Sequence, residues 1–260
     1  MFDRELLTNH IKDQETVFKI RQVIDKIEIT QDKHIITYTD FLDPYERRMA
    51  ISIINRFEDI KFMECGGHKD AERKIIVVYP YYMDHYDINE GLEYISVSAH
   101  DTGLKHKDYL GTILGLGIKR EKIGDIYIHE ALGNIIVKSE IADYILFNLE
   151  RIKNQKVEVK KISKSEIVKI EDDHTEENHF ISSFRLDSII SAAFKFSRNE
   201  SLDYIKGGLI KVNHERIEKA SKELAEGDLV SVRGKGRFTL YKINGQSKKG
   251  RYNIVLRKLK

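Results

Sequence analysis

The sequence predicts an α+β fold divided into several units, and two observations carry that reading. Helical and strand periodicities alternate along the chain in separate runs, and the charges are shared unevenly between its two ends. Residues 181–260 hold 18 Lys and Arg against 8 Asp and Glu, a net +10; the first 180 residues hold 26 against 34, a net −8, and the two return the chain's +2. No acidic residue follows Asp228. Such a split points to a C-terminal part that meets a polyanion and an N-terminal part with another task. At 260 residues the chain has room for two or three small cores.

Residues 1–85 read as an N-terminal α/β domain. Residues 2–28 carry a broad apolar stripe through Leu6, Leu7, Ile11, Phe18, Val23 and Ile27, which predicts a helix. Ile35 to Tyr38 is a short strand. Asp43 before Pro44 is a cap followed by proline at the first helical position, with Met49, Ile53, Ile54 and Phe57 on one face. Strands follow at Lys61–Glu64 and Lys74–Tyr79, joined by the loop that holds Gly66 and Gly67.

Residues 86–168 follow the order strand, helix, strand, strand, helix, strand: Tyr94–Ala99, Lys107–Leu116, Ile126–His129, Asn134–Val137, Ile141–Leu149 and Val157–Ile162. That is the βαββαβ, ferredoxin-like order of many RNA-recognition motifs. The strand Asn134–Lys138 lacks the aromatic residues on which such modules stack bases, so binding through the sheet face is not expected. Lys119, Arg120 and Lys122 crowd into a glycine-flanked loop, where RNA contact and a plain solvated loop are both open readings.

Residues 169–180 are acidic and polar, and are expected to form a linker or an exposed strand end. Residues 181–260 are compact and basic. Leu186, Ile189, Ile190 and Ala193 recur at helical spacing; Ser197 and Glu200 form a capping box for a second helix, which stops at Gly207-Gly208. A short strand then runs into Asn213-His214, and further strands are expected at Phe238–Ile243 and Tyr252–Leu256. Arg185, Lys195, Arg198, Lys206 and Lys211 are expected to gather where the two helices meet the hairpin, as a surface for phosphate oxygens.

Catalytic chemistry finds no support in the residue pattern. Ten histidines are scattered with no H-E-x-x-H pair, and Cys65 is the single cysteine, so neither a disulfide framework nor a multi-cysteine zinc site is available. Gly111–Gly117 lacks the lysine-serine end of a phosphate loop and follows a helix rather than a strand; Lys161–Ser165 resembles a synthetase ATP loop without the H-x-G-H partner such enzymes carry. No enzyme, metal or cofactor is expected. No apolar run approaches the ~20 residues of a membrane span, and the start lacks a signal peptide, so a cytoplasmic monomer without a membrane partner is expected.

Arg185-Leu186-Asp187, Ser197-Arg198, Ile205–Gly208, Val212-Asn213 and Gly227–Val230 together resemble the RNA-binding domain named after the fourth protein of the small ribosomal subunit, the S-four domain. Asp40–Pro44, Gly66-Gly67 with Ala71–Arg73, Asp108–Gly111, Gly115–Asp125 and Gly234–Phe238 extend the likeness over nearly the whole chain, which resembles the YlmH family of bacterial S-four-domain proteins. The resemblance implies binding without catalysis, to large-subunit rRNA and to tRNA or peptidyl-tRNA on obstructed ribosomes. The setting is ribosome-associated quality control with C-terminal alanine tailing, alongside other quality-control factors. The implied RNA-binding residues are Arg185, Asp187, Lys195, Ser197, Arg198, Lys206, Lys211, Asn213, Arg233, Lys235 and Arg237, with Lys119, Arg120 and Lys122 added from the middle loop. A cell-division or regulatory role, with a protein partner for the acidic half, is the alternative. An rRNA-modifying activity is a third.

Overall fold

Aspartate side chains set the helix starts at the N-terminal end. In the computed structural model, which describes residues 2–84, 88–168, 174–247 and 250–259, Asp3 caps α1 (Arg4–Thr8), Asp13 caps α2 (Gln14–Lys33) and Asp43 caps α3 (Pro44–Ile54). The third is a reciprocal box: Asp43 Oδ1 accepts the Glu46 N–H at 2.9 Å, and Glu46 Oε2 accepts the Asp43 N–H at 2.8 Å. The single helix expected over residues 2–28 is therefore two helices. Leu6 and Phe18, assigned to its buried stripe, are 63% and 64% exposed, because Ile20, Val23, Ile24 and Ile27 take the core side of α2.

The chain forms two compact units, residues 1–170 and 171–260. In the first, β1 (Thr37–Tyr38), β2 (Ile60–Cys65) and β3 (Ile75–Pro80) make an antiparallel sheet with β3 in the middle. Ile76 and Val78 face α2 and α3, while Ile75, Val77 and Tyr79 face the other way, so β3 is buried at every position.

The same unit then forms β4 (Leu92–Ala99), α4 (His106–Gly115), β5 (Ile123–His129), β6 (Leu132–Lys138), α5 (Ser139–Asn148), β7 (Arg151–Ile152) and β8 (Gln155–Ile162). The sheet order β5-β6-β4-β8-β7 is the ferredoxin-like order that the sequence predicts, with β7 added at one edge. Ile95, Val97, Ile135 and Val137 pack on Tyr109, Ile113, Ala142 and Ile145 of the two helices. The opposite face is closed too. Tyr94 and Ile136 share a buried cluster with Cys65, Ile75, Val77 and Tyr79, so the first sheet stacks on the second. A Cβ on Gly67 would lie 2.7 Å from Tyr94 Cε1 and 2.8 Å from Ile136 Cδ1, which shows how near the two layers come.

Three stretches distant in sequence lock this stack. Phe41 is fully buried and its ring fills the space beside Gly124, where a Cβ would meet it at 2.7 Å. Arg73 donates to the Phe41 carbonyl at 2.8 Å, and the Asp125 carboxylate accepts the N–H groups of Glu72 and Arg73 at 2.7 and 3.1 Å. Burial pushes the Asp125 carboxyl above its ordinary pKa, outweighing those two hydrogen bonds.

The second unit is a six-stranded antiparallel sheet with two helices on one face. Its elements are β9 (His174–Ile181), α6 (Leu186–Phe194), α7 (Arg198–Lys206), β10 (Ile210–Val212), β11 (Glu215–Arg216), β12 (Leu229–Val232), β13 (Gly236–Gln246) and β14 (Tyr252–Leu259). The order is β11-β10-β12-β13-β14-β9. The stretch expected as a linker or strand end thus contains a full edge strand; its residues 169–173 lie outside the described residues. The strand pairs with β14 over all eight of its residues, and its carboxylates meet cations there: Glu176 pairs with Arg257 at 2.8 Å and Glu177 with Lys258 at 2.7 Å.

Candidate nucleic-acid interface

The start of α6 brings a cation to a fixed place. Arg185 precedes the helix and forks onto Asp187, with Nε to Oδ1 at 3.0 Å and Nη2 to Oδ2 at 2.7 Å. Asp187 is buried and also accepts the Ser188 N–H at 3.0 Å. Its carboxyl is held below the ordinary carboxylate range, first by the hydrogen bonds from Arg185, with the charge of Arg198 adding to the effect. Asp187 therefore orients Arg185 rather than meeting an anion itself. The fork uses two of the five guanidinium donors and leaves the rest for a ligand.

Arg185 and Arg198 line one cleft of ≈ 540 Å³ with Ser182, Ser183, Ser188, Ser191 and Phe196. Two guanidinium groups among hydroxyls form a surface suited to phosphate oxygens. Arg198 is the first residue of α7, where the positive end of the helix dipole adds to its charge. Ser197 forms the capping box that the sequence predicts. Its hydroxyl accepts the Glu200 N–H at 3.2 Å and its own N–H goes to Glu200 Oε2 at 2.9 Å, which uses the backbone donor and leaves the hydroxyl proton as the donor of this residue.

The remaining basic residues do not all share that cleft. Lys235, in the turn between β12 and β13, lies 5.4 Å from the Phe196 ring centroid and so flanks the cleft. Lys195 is exposed at the end of α6 in a left-handed conformation, φ 57°. Lys206 is exposed in the last turn of α7, and Arg233 is exposed just past β12. Lys211 and Arg237 lie on the sheet face turned away from the helices, because their strand neighbours Val212 and Phe238 take the core side. The Asn213 amide is committed to its turn, donating to Asp228 at 2.7 Å and accepting the Leu229 N–H at 3.0 Å.

Two of the three cations of the middle loop are engaged within the first unit. Lys122 bridges Asp40 at 2.6 Å and Glu140 at 2.7 Å, and Arg120 donates to the carbonyls of Ile123 and Gly124. Both hold the first unit together, which leaves Lys119 as the exposed cation there. Asp40 is held below its ordinary range even though burial opposes this, because Lys122 and Lys138 both reach it. The serines of the cleft and Phe196 were missed from sequence, since isolated hydroxyls carry no periodic signal.

A helix pair on a sheet with this cleft defines an S-four-type RNA-binding domain, joined to a unit of two stacked sheets. The family models match in the same order: "YlmH, N-terminal" over residues 15–83, "Putative RNA-binding domain in YlmH" over 84–166 and "S4 domain" over 184–230. The chain is 32% identical over 259 residues to the Bacillus subtilis "Ribosome-associated protein quality control protein P2", spanning 96% of this chain and 98% of that protein. The chain belongs to the YlmH family. The structure titled "Cell division protein ylmH from Streptococcus pneumoniae" matches 60% of this chain and 96% of its own, with a TM-score of 0.54 at 17% identity, a likeness of fold. The domain content is that of an RNA-binding protein.

Proposed function

We propose that the protein binds the large ribosomal subunit and the tRNA retained on it after stalling, and supports alanine tailing by holding rather than by catalysing. The observation that carries this reading is the cleft between Ser182 and Arg198, where Arg185 is held by a buried carboxylate and Arg198 stands beside hydroxyls. A buried, ion-paired support keeps a guanidinium in place before RNA arrives and lowers the ordering cost of binding. The ribosomal setting is supported by the name of the Bacillus subtilis relative. Contacts from Arg185 and Arg198 go to backbone phosphates, which position the protein without reading sequence.

The test is co-sedimentation of the full chain with purified large subunits, with and without bound peptidyl-tRNA. Binding that strengthens with the tRNA, and falls in the Arg185→Ala/Arg198→Ala variant, supports the reading. Equal binding of the wild type and this variant overturns it.

A further inference from the structure

The face of the C-terminal sheet that the helices do not cover has a composition of its own. Alternation sends Val212, Val230, Phe238, Leu240, Ile254 and Leu256 to the helix side, where all are buried. Their neighbours point outward. Register places Lys211, Ser231 and Arg237 in one row across β10, β12 and β13, and Thr239, Arg257 and Glu176 in a second row across β13, β14 and β9. A third row, Gly245, Asn253 and Phe180, ends in a ring that is 57% exposed.

A bulge adds to this face. The register of β13 against β14 shifts between Leu240 and Lys242, so that Tyr241 and Lys242 both turn outward. Tyr241 is 42% exposed and carries the Arg257 guanidinium 3.1 Å from its ring centroid, with Glu176 holding Arg257 at 2.8 Å. A flat, braced guanidinium layered on an aromatic ring offers its other side for stacking. Phe180 lies four residues along β9 from Glu176, roughly 13 Å away. The cations that register and the bulge place on this face are Lys211, Arg237, Lys242 and Arg257, the last held by Glu176.

We infer that this sheet face is a second RNA contact, separate from the cleft, and that it takes unpaired RNA. Bases stack on Phe180 and on the Tyr241/Arg257 layer, while Lys211, Arg237 and Lys242 meet the backbone. Exposed rings interleaved with cations on an open sheet suit single strands, whose bases are free to lie flat, and not a duplex, whose bases are already stacked. A purely electrostatic surface would have no use for the rings.

The test uses the full chain, a fluorescent oligouridine and an RNA hairpin. The Phe180→Ala/Tyr241→Ala variant is expected to lose about tenfold in oligouridine affinity and to keep hairpin affinity within about twofold. Crosslinks from 4-thiouridine in the oligomer to the wild-type protein are expected on the peptides that contain Phe180 and Tyr241. This second measurement decides the matter if the variant does not fold. Unchanged oligouridine affinity in a folded variant, or crosslinks confined to residues 182–198, overturns the inference. So does tighter binding of polyglutamate than of oligouridine, which would assign the face to an acidic protein.

Discussion

The two larger sheets of this protein each carry two helices on one face, and they differ in what lies on the other. In the first unit the second face of the five-stranded sheet is closed by the N-terminal sheet, with Ile136 and Ile75 fully buried between them. In the C-terminal unit the second face of the six-stranded sheet bears exposed rings and cations. A ferredoxin-like order is therefore not evidence that the sheet meets RNA. Here the face that RNA-recognition motifs use for stacking is part of a core, and the aromatic residues absent from β6 would have no room. The C-terminal unit holds both the oriented cleft and the open sheet.

The largest effect that would break this contrast is a charge placed between the stacked sheets. Ile136→Asp is expected to cost about 3–5 kcal/mol, the cost of leaving a buried charge without a partner. Asn178→Asp on the open sheet is expected to stay within about 0.5 kcal/mol. Thermal unfolding of both variants checks this; an Ile136→Asp protein that melts with the wild type would mean that the face is not closed.

Removing the cleft's two guanidinium groups sharpens the contrast from the other side. Arg185→Ala/Arg198→Ala should weaken RNA binding roughly ten- to hundredfold and reduce the salt slope by about two. The corresponding change at Lys122, whose ammonium is held by Asp40 and Glu140, should lower stability with little effect on RNA affinity. RNA titrations at several salt concentrations distinguish the two, and a flat salt profile would remove phosphate from the account.

A smaller effect is expected at Gly124, where an added Cβ meets the Phe41 ring at 2.7 Å and the Ile136 carbonyl at 3.2 Å. Gly124→Ala should cost about 1–3 kcal/mol by overpacking, measured by urea unfolding. A neutral result would show that Phe41 has space to move.

The smallest effect is one of sign. Asp187 has a folded pKa below its unfolded value, so its contribution is full above about pH 4 and is lost as pH falls through the folded pKa. Asp125 is shifted upward, so the folded state binds its proton more tightly. That contribution is present below about pH 4 and is lost as pH rises through the folded pKa. Urea unfolding of Asp187→Asn and Asp125→Asn against the wild type, over about pH 3–6, should show stability differences that run in opposite directions with pH. Parallel curves would contradict the assigned environments.

Much of this was legible in the sequence where the cause is local. The Asp43 cap before Pro44 and the Ser197/Glu200 box each close within three residues, and both helices begin where those residues stand. For β9 the sequence left a linker and an exposed strand end both open, because Glu176 finds Arg257 only across 81 positions of chain. Lys122 looked like a free cation for the same reason: its partner Asp40 lies 82 positions away. Arg185 and Arg198 were read as RNA residues from charge and helix position, and the structure brings them to one cleft. The outward turn of Tyr241 and Lys242 depends on a bulge, which a two-residue period does not reveal.

The most direct test of the account is hydroxyl-radical footprinting of the full chain on purified large subunits carrying tRNA, with side-chain oxidation read by mass spectrometry. The account predicts protection of Phe196 and its neighbours between Ser182 and Arg198 on binding, and no change at Tyr94 and Ile136, which are already buried without RNA. Full reactivity of Phe196 in the bound state, with RNA-dependent changes on the five-stranded sheet instead, would contradict it.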